Sequence, residues 1–188
     1  KNYFNLRTVT LLAAMNMLII IHSSGQLVTV SNVNISNSSQ ITVSGDLMNT
    51  AGATISNEGI IDLSGDFTNN SGSNLFGTSA GNVILNGADQ YIGGNDITRF
   101  HDLSLLGSGT KTLQQDISVG GAIGSPNGVL SLGMRTLDLN SNEITITNAA
   151  NTAITRISGY IVSETGPAPG YGIIKWEVKN NTGNYVFP

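Results

Sequence analysis

Short stretches of alternating apolar and polar residues run along most of this chain after residue 25. Alternation with period two predicts a short β-strand with one buried face. The apolar pairs that mark these stretches are Val28 and Val30, Val83 and Leu85, Leu103 and Leu105, Leu130 and Leu132, Leu137 and Leu139, and Ile144 and Ile146. No stretch beyond residue 25 has the period of an amphipathic helix. We therefore predict an all-β protein built from short strands.

Glycine and asparagine stand where these strands must turn. The chain contains 23 glycines, and the dipeptides Asn86-Gly87 and Asn127-Gly128 are typical of tight turns because both residue types tolerate positive φ. Only 11% of the residues are charged, against about a quarter in globular proteins. Asn, Ser, Thr and Gly take the place of charged residues, which suits turns and hydrogen-bonded β-surfaces.

A short repeat connects two neighbouring segments. Residues 41–52 (ITVSGDLMNTAG) align with residues 61–72 (IDLSGDFTNNSG). The aligned positions that define the repeat are Gly45 with Gly65, Asp46 with Asp66, Leu47 with Phe67, and Asn49 with Asn69. A looser third copy has Ile117, Val119, Gly121 and Ile123 in the apolar and glycine positions, and Asn127-Gly128 in place of Ala51-Gly52.

A fixed period of about 20 residues with several strands per period predicts a β-solenoid, because each coil can bury its apolar face only against its neighbours. The roughly 163 residues after position 25 would form about eight coils. Leu47 would lie above Phe67 in the interior, and Asn49 above Asn69 in a short ladder. A β-sandwich is the alternative, but it requires no identical residues at a fixed spacing.

The N-terminal segment, residues 1–25, has the order of a secretory signal peptide. Lys1 and Arg7 precede a mostly apolar run, residues 9–21, and small residues follow it. That run is about 13 residues, whereas a membrane-spanning helix needs roughly 20. We predict a helical signal peptide over residues 1–25, cleaved near Gly25-Gln26, rather than a stable membrane span. A buried core helix is the alternative.

The prediction for the rest of the chain is solenoid repeats over residues 26–158 and a strand-rich segment over residues 159–188, truncated within a strand at its end. The protein would be secreted or displayed on the cell surface. The absence of cysteine excludes disulfides and thiolate chemistry. The net charge is −4, and the six basic residues beyond the leader are scattered, so we predict no binding to nucleic acid.

Several phrases of the chain resemble a known group of proteins. They are the SGDL and SGDF turns, residues 86–94 (NGADQYIGG), residues 100–113 (FHDLSLLGSGTKTL) and residues 159–164 (GYIVSE). The group comprises the β-helix repeat regions of large secreted surface proteins from Bacteroidetes-type bacteria. The resemblance implies a right-handed parallel β-helix, adhesin-like roles and export by type IX secretion through a C-terminal sorting domain.

The repeat places Asp46 and Asp66 at equivalent positions, where their carboxylates could stack and begin a calcium site. The favoured interpretation is structural, because an Asp after Gly at a strand end commonly bonds its own backbone and fixes the turn. We predict no metal, cofactor or catalytic residue in the chain.

An enzyme remains an alternative because polysaccharide lyases and hydrolases also use β-helix scaffolds. The acidic candidates and their one nearby cation are Asp62, Asp66, Asp89, Asp96, Asp102 and Arg99, but their spacing shows no required pair. His101 beside Asp102 suggests a triad. Neighbouring residues on a strand point to opposite faces, and no G-x-S-x-G motif completes the set, so a surface histidine is favoured.

The leading functional hypothesis is a non-enzymatic structural or adhesin-like surface module, with surface glycans or other cell-surface proteins as partners. The alternatives are a fragment of a carbohydrate-active β-helix enzyme and a glycan-binding module. Aromatic residues concentrate near the C-terminus, where we expect core packing in preference to sugar stacking. They are Tyr160, Tyr171, Trp176, Tyr185 and Phe187.

Overall fold

A computed structural model describes residues 26–29, 33–72, 74–121, 126–164, 166 and 170–188. The predicted signal peptide over residues 1–25 lies outside the described residues. So do Val30 and Ile123, each one member of a predicted strand or repeat pattern.

The described residues form nineteen short strands and no helix. The first nine are β1 (Leu27–Thr29), β2 (Asn34–Asn37), β3 (Gln40–Val43), β4 (Leu47–Asn49), β5 (Thr54–Asn57), β6 (Ile60–Leu63), β7 (Phe67–Asn69), β8 (Asn82–Leu85) and β9 (Gln90–Gly94). The others are β10 (Thr98–Phe100), β11 (Asp102–Leu105), β12 (Thr110–Leu113), β13 (Ile117–Val119), β14 (Leu130–Ser131), β15 (Thr136–Asp138), β16 (Glu143–Ile146), β17 (Ile154–Thr155), β18 (Tyr160–Val162) and β19 (Ile173–Trp176).

Each strand pairs in parallel with a strand of a neighbouring coil, and strands within a sheet pair on both sides. A seven-stranded sheet has the order β1-β4-β7-β9-β12-β15-β18, and a six-stranded sheet has the order β3-β6-β8-β11-β14-β17. A four-stranded sheet, β10-β13-β16-β19, and a two-stranded sheet, β2-β5, complete the molecule. Because the chain visits the sheets in turn and returns one strand further along, it forms a parallel β-solenoid. The predicted all-β solenoid is confirmed.

The solenoid has three sides, and one of them is interrupted. The two-stranded sheet covers the third side in the first two coils, and the four-stranded sheet covers it from the fourth coil onward. In the third coil a run of turns, residues 74–78, takes the place of a strand. It joins both neighbours, since Ile55 N donates to the carbonyl of Leu75 at 2.8 Å and the Phe76 ring contacts Phe100.

The described residues make about six coils, fewer than the eight predicted. The first coils keep the spacing of the sequence repeat, since Leu27 pairs with Leu47 and Leu47 with Phe67. The next partner of Phe67 is Ile92, and Lys111 pairs with Leu137, so these coils are longer. The corners lengthen while the strands stay short, and each later coil therefore uses more residues than the repeat indicated.

Apolar side chains fill the interior in columns. Leu47, Phe67, Ile92 and Leu113 are partners on four successive strands, and each is at most 1% exposed. The column arises because side chains of a strand alternate between its faces, and parallel pairing in register repeats that alternation in every coil. Three rings, Phe67, Phe76 and Phe100, meet in this core with centroids 5.3–6.0 Å apart.

The looser third copy of the repeat is wrong. Ile41 belongs to the six-stranded sheet, where it pairs with Ile61, whereas Ile117 belongs to the four-stranded sheet and pairs with Ile144. An apolar-x-apolar pattern occurs in strands on every side of the solenoid. Alignment by that pattern therefore matched strands from two different sides. The strands over residues 159–188 extend existing sheets, since β18 pairs with β15 and β19 with β16.

Candidate functional site

Asp46 and Asp66 join successive coils through the backbone. The Oδ1 atom of Asp46 accepts a hydrogen bond of 2.9 Å from the backbone N–H of Asp66, and Oδ1 of Asp66 accepts one of 2.8 Å from Tyr91 N–H. The favoured interpretation placed this bond in the aspartate's own turn, but it crosses to the next coil. Both residues precede a strand of the seven-stranded sheet, so their side chains extend its hydrogen-bonding ladder by one bond.

Other aspartates form the same kind of bond. Asp89 accepts from Thr110 N–H at 2.7 Å, Asp102 from Val129 N–H at 2.7 Å, and Asp116 from Glu143 N–H at 2.8 Å. Asp96 bonds in the reverse direction along the stack, accepting from Gly72 N–H at 3.0 Å. Ionised acceptors make shorter and stronger bonds than neutral ones. Carboxylates thus act as connectors between coils.

Buried amides form a second set of connectors. Asn37 Nδ2 donates to Asn57 Oδ1 at 2.7 Å and to the carbonyl of Ile60 at 2.9 Å. Asn37 and Asn57 are 5% and 1% exposed. This pair was missing from the sequence candidates, although residues 34–37 (NISN) and 54–57 (TISN) share their last three residues and have the same spacing as the repeat.

Asn49 and Asn69 are in register and fully buried, but they bond differently. Asn49 Oδ1 accepts from the Thr29 hydroxyl at 2.9 Å. Asn69 serves its own turn, accepting from Ser71 N–H at 3.0 Å and donating to the Gly72 carbonyl at 3.1 Å. Identical residues in register therefore bond differently, since Asn49 bonds the preceding coil, whereas Asn69 bonds its own turn and, at 3.5 Å, the Ile97 carbonyl of the next coil.

Lys111 is a buried cation that the sequence shows only as one of several scattered basic residues. Its side chain is 0% exposed. Its Nζ atom donates to the carbonyls of Gly87, Ala88 and Ser108 at 2.9, 2.5 and 3.0 Å, and to Gln90 Oε1 at 2.8 Å. Burial, together with the nearby Arg135 charge, lowers the pKa of Lys111 to about 8. The Lys111 ammonium group therefore bonds, from the interior, the backbone of two turns in adjacent coils, one with Gly87 and Ala88 and the other with Ser108.

The five candidate acidic residues do not form one site. Asp62 and Asp102 lie on the outer face of the six-stranded sheet, two strands apart, whereas Asp66 and Asp89 precede strands of the seven-stranded sheet. Asp96 stands at the corner before β10. Glycoside hydrolysis needs two carboxyl groups facing one bond. Asp66 and Asp89 precede adjacent strands, but each accepts a backbone hydrogen bond from the next coil.

His101 and Asp102 lie closer together than strand geometry predicts. His101 is in a bend just before β11, so the alternation of faces does not apply, and its Nδ1 lies 3.4 Å from Asp102 Oδ1. Its Nε2 is 2.9 Å from Asn127 Oδ1. The His101 side chain is 15% exposed, which corrects the prediction of a surface histidine.

A cleft opens where the third side is interrupted. Its volume is about 220 Å³, and its lining residues are Asn74, Gly77, Thr78, Ser79, Arg99, His101 and Gly121. Gly121 has φ +91°, and a Cβ there would lie 2.4 Å from His101 Cδ2, so only glycine admits the ring. The Ser79 hydroxyl already has partners within the protein. It donates to the Phe76 carbonyl at 2.5 Å and accepts from Asn57 N–H.

The C-terminal aromatic residues divide into two groups. Trp176 forms edge contacts with Tyr185 and Phe187, at centroid distances of 4.9 and 5.5 Å. Trp176 Nε1 donates to the carbonyl of Asn148 at 3.0 Å, and Tyr185 Oη donates to that of Ala149 at 2.7 Å. Tyr160 and Tyr171 remain exposed.

Comparisons with protein-family models, curated proteins and solved structures found no match to this chain. Among the described residues, no cluster of three or more His, Asp or Glu side chains could hold a metal ion. Within the same residues, no helix has the length and apolar character needed to cross a bilayer.

Proposed function

We propose that this chain is a structural module of an exported protein, a stack of coils that spaces or presents other parts of that protein and adheres to surfaces. The observation that supports it best is the use of the repeat's carboxylates. Asp46 and Asp66 were the repeat residues considered for a calcium site, and each accepts a hydrogen bond from the backbone of the next coil. Side chains with these hydrogen bonds stabilise the stack of coils.

The cellular part of the proposal rests on sequence. The signal-peptide pattern over residues 1–25 supports export. The resemblance of the SGDL and SGDF turns supports a right-handed β-helix of a Bacteroidetes-type surface protein, adhesin-like and sorted by type IX secretion. Producing the chain in a bacterium and determining the N-terminus of the extracellular protein tests export. We expect Gln26 as the first residue, and an intact N-terminus retained in the cytoplasm would contradict it.

A carbohydrate-active enzyme is the second candidate, and the cleft favours it because Arg99 and His101 line one opening. The test measures release of reducing ends from neutral and acidic polysaccharides by the purified chain. We expect none above the buffer control. Release that His101→Ala abolishes, while Tyr171→Ala preserves it, would replace the structural proposal with the enzyme.

A further inference from the structure

The outer face of the seven-stranded sheet carries two exposed tyrosines with threonines between them. Tyr91 on β9 pairs with Thr112 on β12, and Thr110 on β12 pairs with Thr136 on β15, which pairs in turn with Tyr160 on β18. These five residues, here called the Tyr/Thr face, alternate with inward-facing neighbours along their strands, which are buried except for the partly buried Ile161. They therefore project outward from four successive coils.

The Tyr/Thr face is open and has free polar groups. Tyr91 and Tyr160 are 44% and 48% exposed. Three strand spacings separate their strands, a distance of about 14 Å along the solenoid axis. No described residue hydrogen-bonds to the hydroxyls of Thr110, Thr112 or Thr136. The face thus has an aromatic surface at each end and hydroxyl groups between.

The five side chains of the Tyr/Thr face are uncharged, in a chain of net charge −4. One exposed carboxylate borders them, that of Asp89, which accepts from Thr110 N–H. Its strands include one acidic residue, Asp138, which is 3% exposed and accepts from Asn140 N–H at 2.8 Å. By contrast, the outer face of the four-stranded sheet carries an ion pair between Lys175 and Glu143 at 2.6 Å. A neutral occupant matches this face, because the Asp89 carboxylate repels an anionic one and the uncharged tyrosine and threonine side chains do not compensate a charged group for its lost hydration.

The corner beside the Tyr/Thr face exposes one apolar side chain in each of three coils, with Arg135 and Arg156 next to two of them in the chain. The turns leading into β12, β15 and β18 expose Leu106, Met134 and Ile157 at 46%, 58% and 80%. Apolar groups exposed in successive coils, next to exposed aromatic rings, form the kind of contiguous patch that marks a binding surface. The pyranose ring offers a matching chemistry, with apolar C–H faces and hydroxyl groups around its edge.

We propose that the Tyr/Thr face binds a neutral polysaccharide that runs along the solenoid axis. The spacing of successive coils, about 4.8 Å, is close to the length of one sugar residue in an extended chain, so successive rings meet successive coils. Tyr91 and Tyr160 stack on C–H faces at the two ends, and the threonine hydroxyls bond sugar hydroxyls between them.

The test is native affinity electrophoresis of the purified chain in gels that contain hydroxyethyl cellulose, glucomannan or dextran, with alginate as the anionic comparison. We expect retardation in at least one neutral gel, unchanged by added salt, and none in alginate. The double variant Tyr91→Ala/Tyr160→Ala should weaken binding about tenfold or more, the expected loss of two aromatic contacts. Tyr171→Ala, at a site 82% exposed and off the face, should bind like the parent.

Three results would overturn the inference. They are an absence of retardation in all three neutral gels, equal retardation of parent and double variant, and retardation confined to alginate. Sedimentation of the chain over a range of concentrations addresses one competing occupant. A dimer that the double variant abolishes would identify a second copy as the partner and would also reject the polysaccharide. These outcomes leave the structural proposal untouched, because it depends on the connections between coils and not on the Tyr/Thr face.

Discussion

At the scale of single residues, the aspartates of the repeat act as substitutes for backbone acceptors. A corner interrupts the regular ladder between parallel strands, and an N–H group at the start of the next strand would otherwise lack a partner. Asp46 and Asp66 each supply a carboxylate oxygen at that point. A backbone hydrogen bond of this kind contributes on the order of 1 kcal/mol, which explains why the Gly-Asp pair recurs where a strand begins.

The first prediction concerns this bond. Asp66→Ala should lower the free energy of unfolding by about 1–2 kcal/mol, because Tyr91 N–H loses its acceptor. Asp66→Asn should recover most of that loss, since its amide oxygen can accept the same bond. Asp62→Ala is the matched control, as Asp62 Oδ1 has no hydrogen-bond partner among the described residues. Urea unfolding measures all three, and equal losses for Asp66→Ala and Asp62→Ala would contradict the connector role.

Calcium provides a separate test at the same residues. Each of the two carboxylates already accepts a backbone hydrogen bond, and a calcium ion would need six to eight oxygen ligands. We expect the melting temperature to be the same in excess calcium and in excess chelator. A calcium-dependent rise that Asp46→Ala removes would revive the metal-site hypothesis.

Lys111 leads to a prediction about pH. The folded state lowers its pKa from 10.5 to about 8, so between these values the unfolded chain binds more protons than the folded one. Stability should therefore rise with pH across this window, by up to about 3 kcal/mol. Lys111→Met should lack that rise. Urea titrations of both proteins at pH 7.5 and about 10 measure the difference, and parallel pH profiles would refute the assignment.

At the scale of elements, the loop in the third coil fills the core in place of a missing strand. Strands pack by alternation, but residues 74–78 place Leu75 and Phe76 in the core from a series of turns. Phe76 lies 6.0 Å from Phe67 and 5.7 Å from Phe100, measured between ring centroids. The loop spans the break between the two sheets of the third side, since its Leu75 carbonyl bonds Ile55 N–H and its Phe76 ring contacts Phe100. The cleft is the space that the loop leaves on the outside.

The prediction for this loop is a large cavity cost. Phe76→Ala should destabilise the chain by about 3–5 kcal/mol, the usual range for a buried phenylalanine. Phe76→Leu retains most of the volume and should cost much less. Thermal unfolding followed by circular dichroism compares the two. If Phe76→Ala unfolds like the parent, the loop does not contribute to the core.

At the scale of the whole molecule, the open ends of the stack are the weak points. A terminal coil of a parallel solenoid offers unpaired backbone groups and a partly exposed interior. At the last coil, Ile174 and Trp176 are only partly buried. Tyr185 and Phe187 pack on the Trp176 ring and reduce its exposure. The residues after β19 thus shield this end.

Removal of that shield should reduce solubility. A chain ending at Ser163 lacks β19, which pairs with β16 and covers Ile144 and Ile146, both 0% exposed in the intact chain. We expect the shortened chain to aggregate at concentrations at which the full chain stays soluble. Centrifugation followed by measurement of soluble protein compares them, and equal solubility would argue against exposed strand edges as the cause.

Prediction from sequence succeeded where the physical cause was local or repeated without change. Leu47 and Phe67 obey both conditions, because period-two alternation places each inside and the constant spacing of the repeat places one on the other. It failed where the period changed. Ile117 was aligned with Ile41 because both open the same short pattern, and nothing in that pattern reveals which side of the solenoid a strand occupies.

Prediction from sequence also failed for contacts between residues that are far apart in the chain. Lys111 occupies an inward position by alternation alone, but its acceptors include Gly87, 24 residues earlier in the chain. His101 and Asn127 meet across 26 residues, and Tyr91 and Tyr160 share a face across four strands. Such contacts depend on the length of every corner between the residues, which no local pattern encodes.

The sequence by itself determined the all-β class, the short strands, the inward positions of the apolar pairs that alternation marked and the stacking of the two closest repeats. These follow from alternation and steric preference, which act between neighbours. Only the tertiary structure decided the number of coils, the sheet to which each strand belongs, the coil that each aspartate joins and the residues that share a surface. The register between parallel coils depends on the lengths of the irregular corners between strands. Those lengths can be interpreted only when the structure shows which strands are in contact.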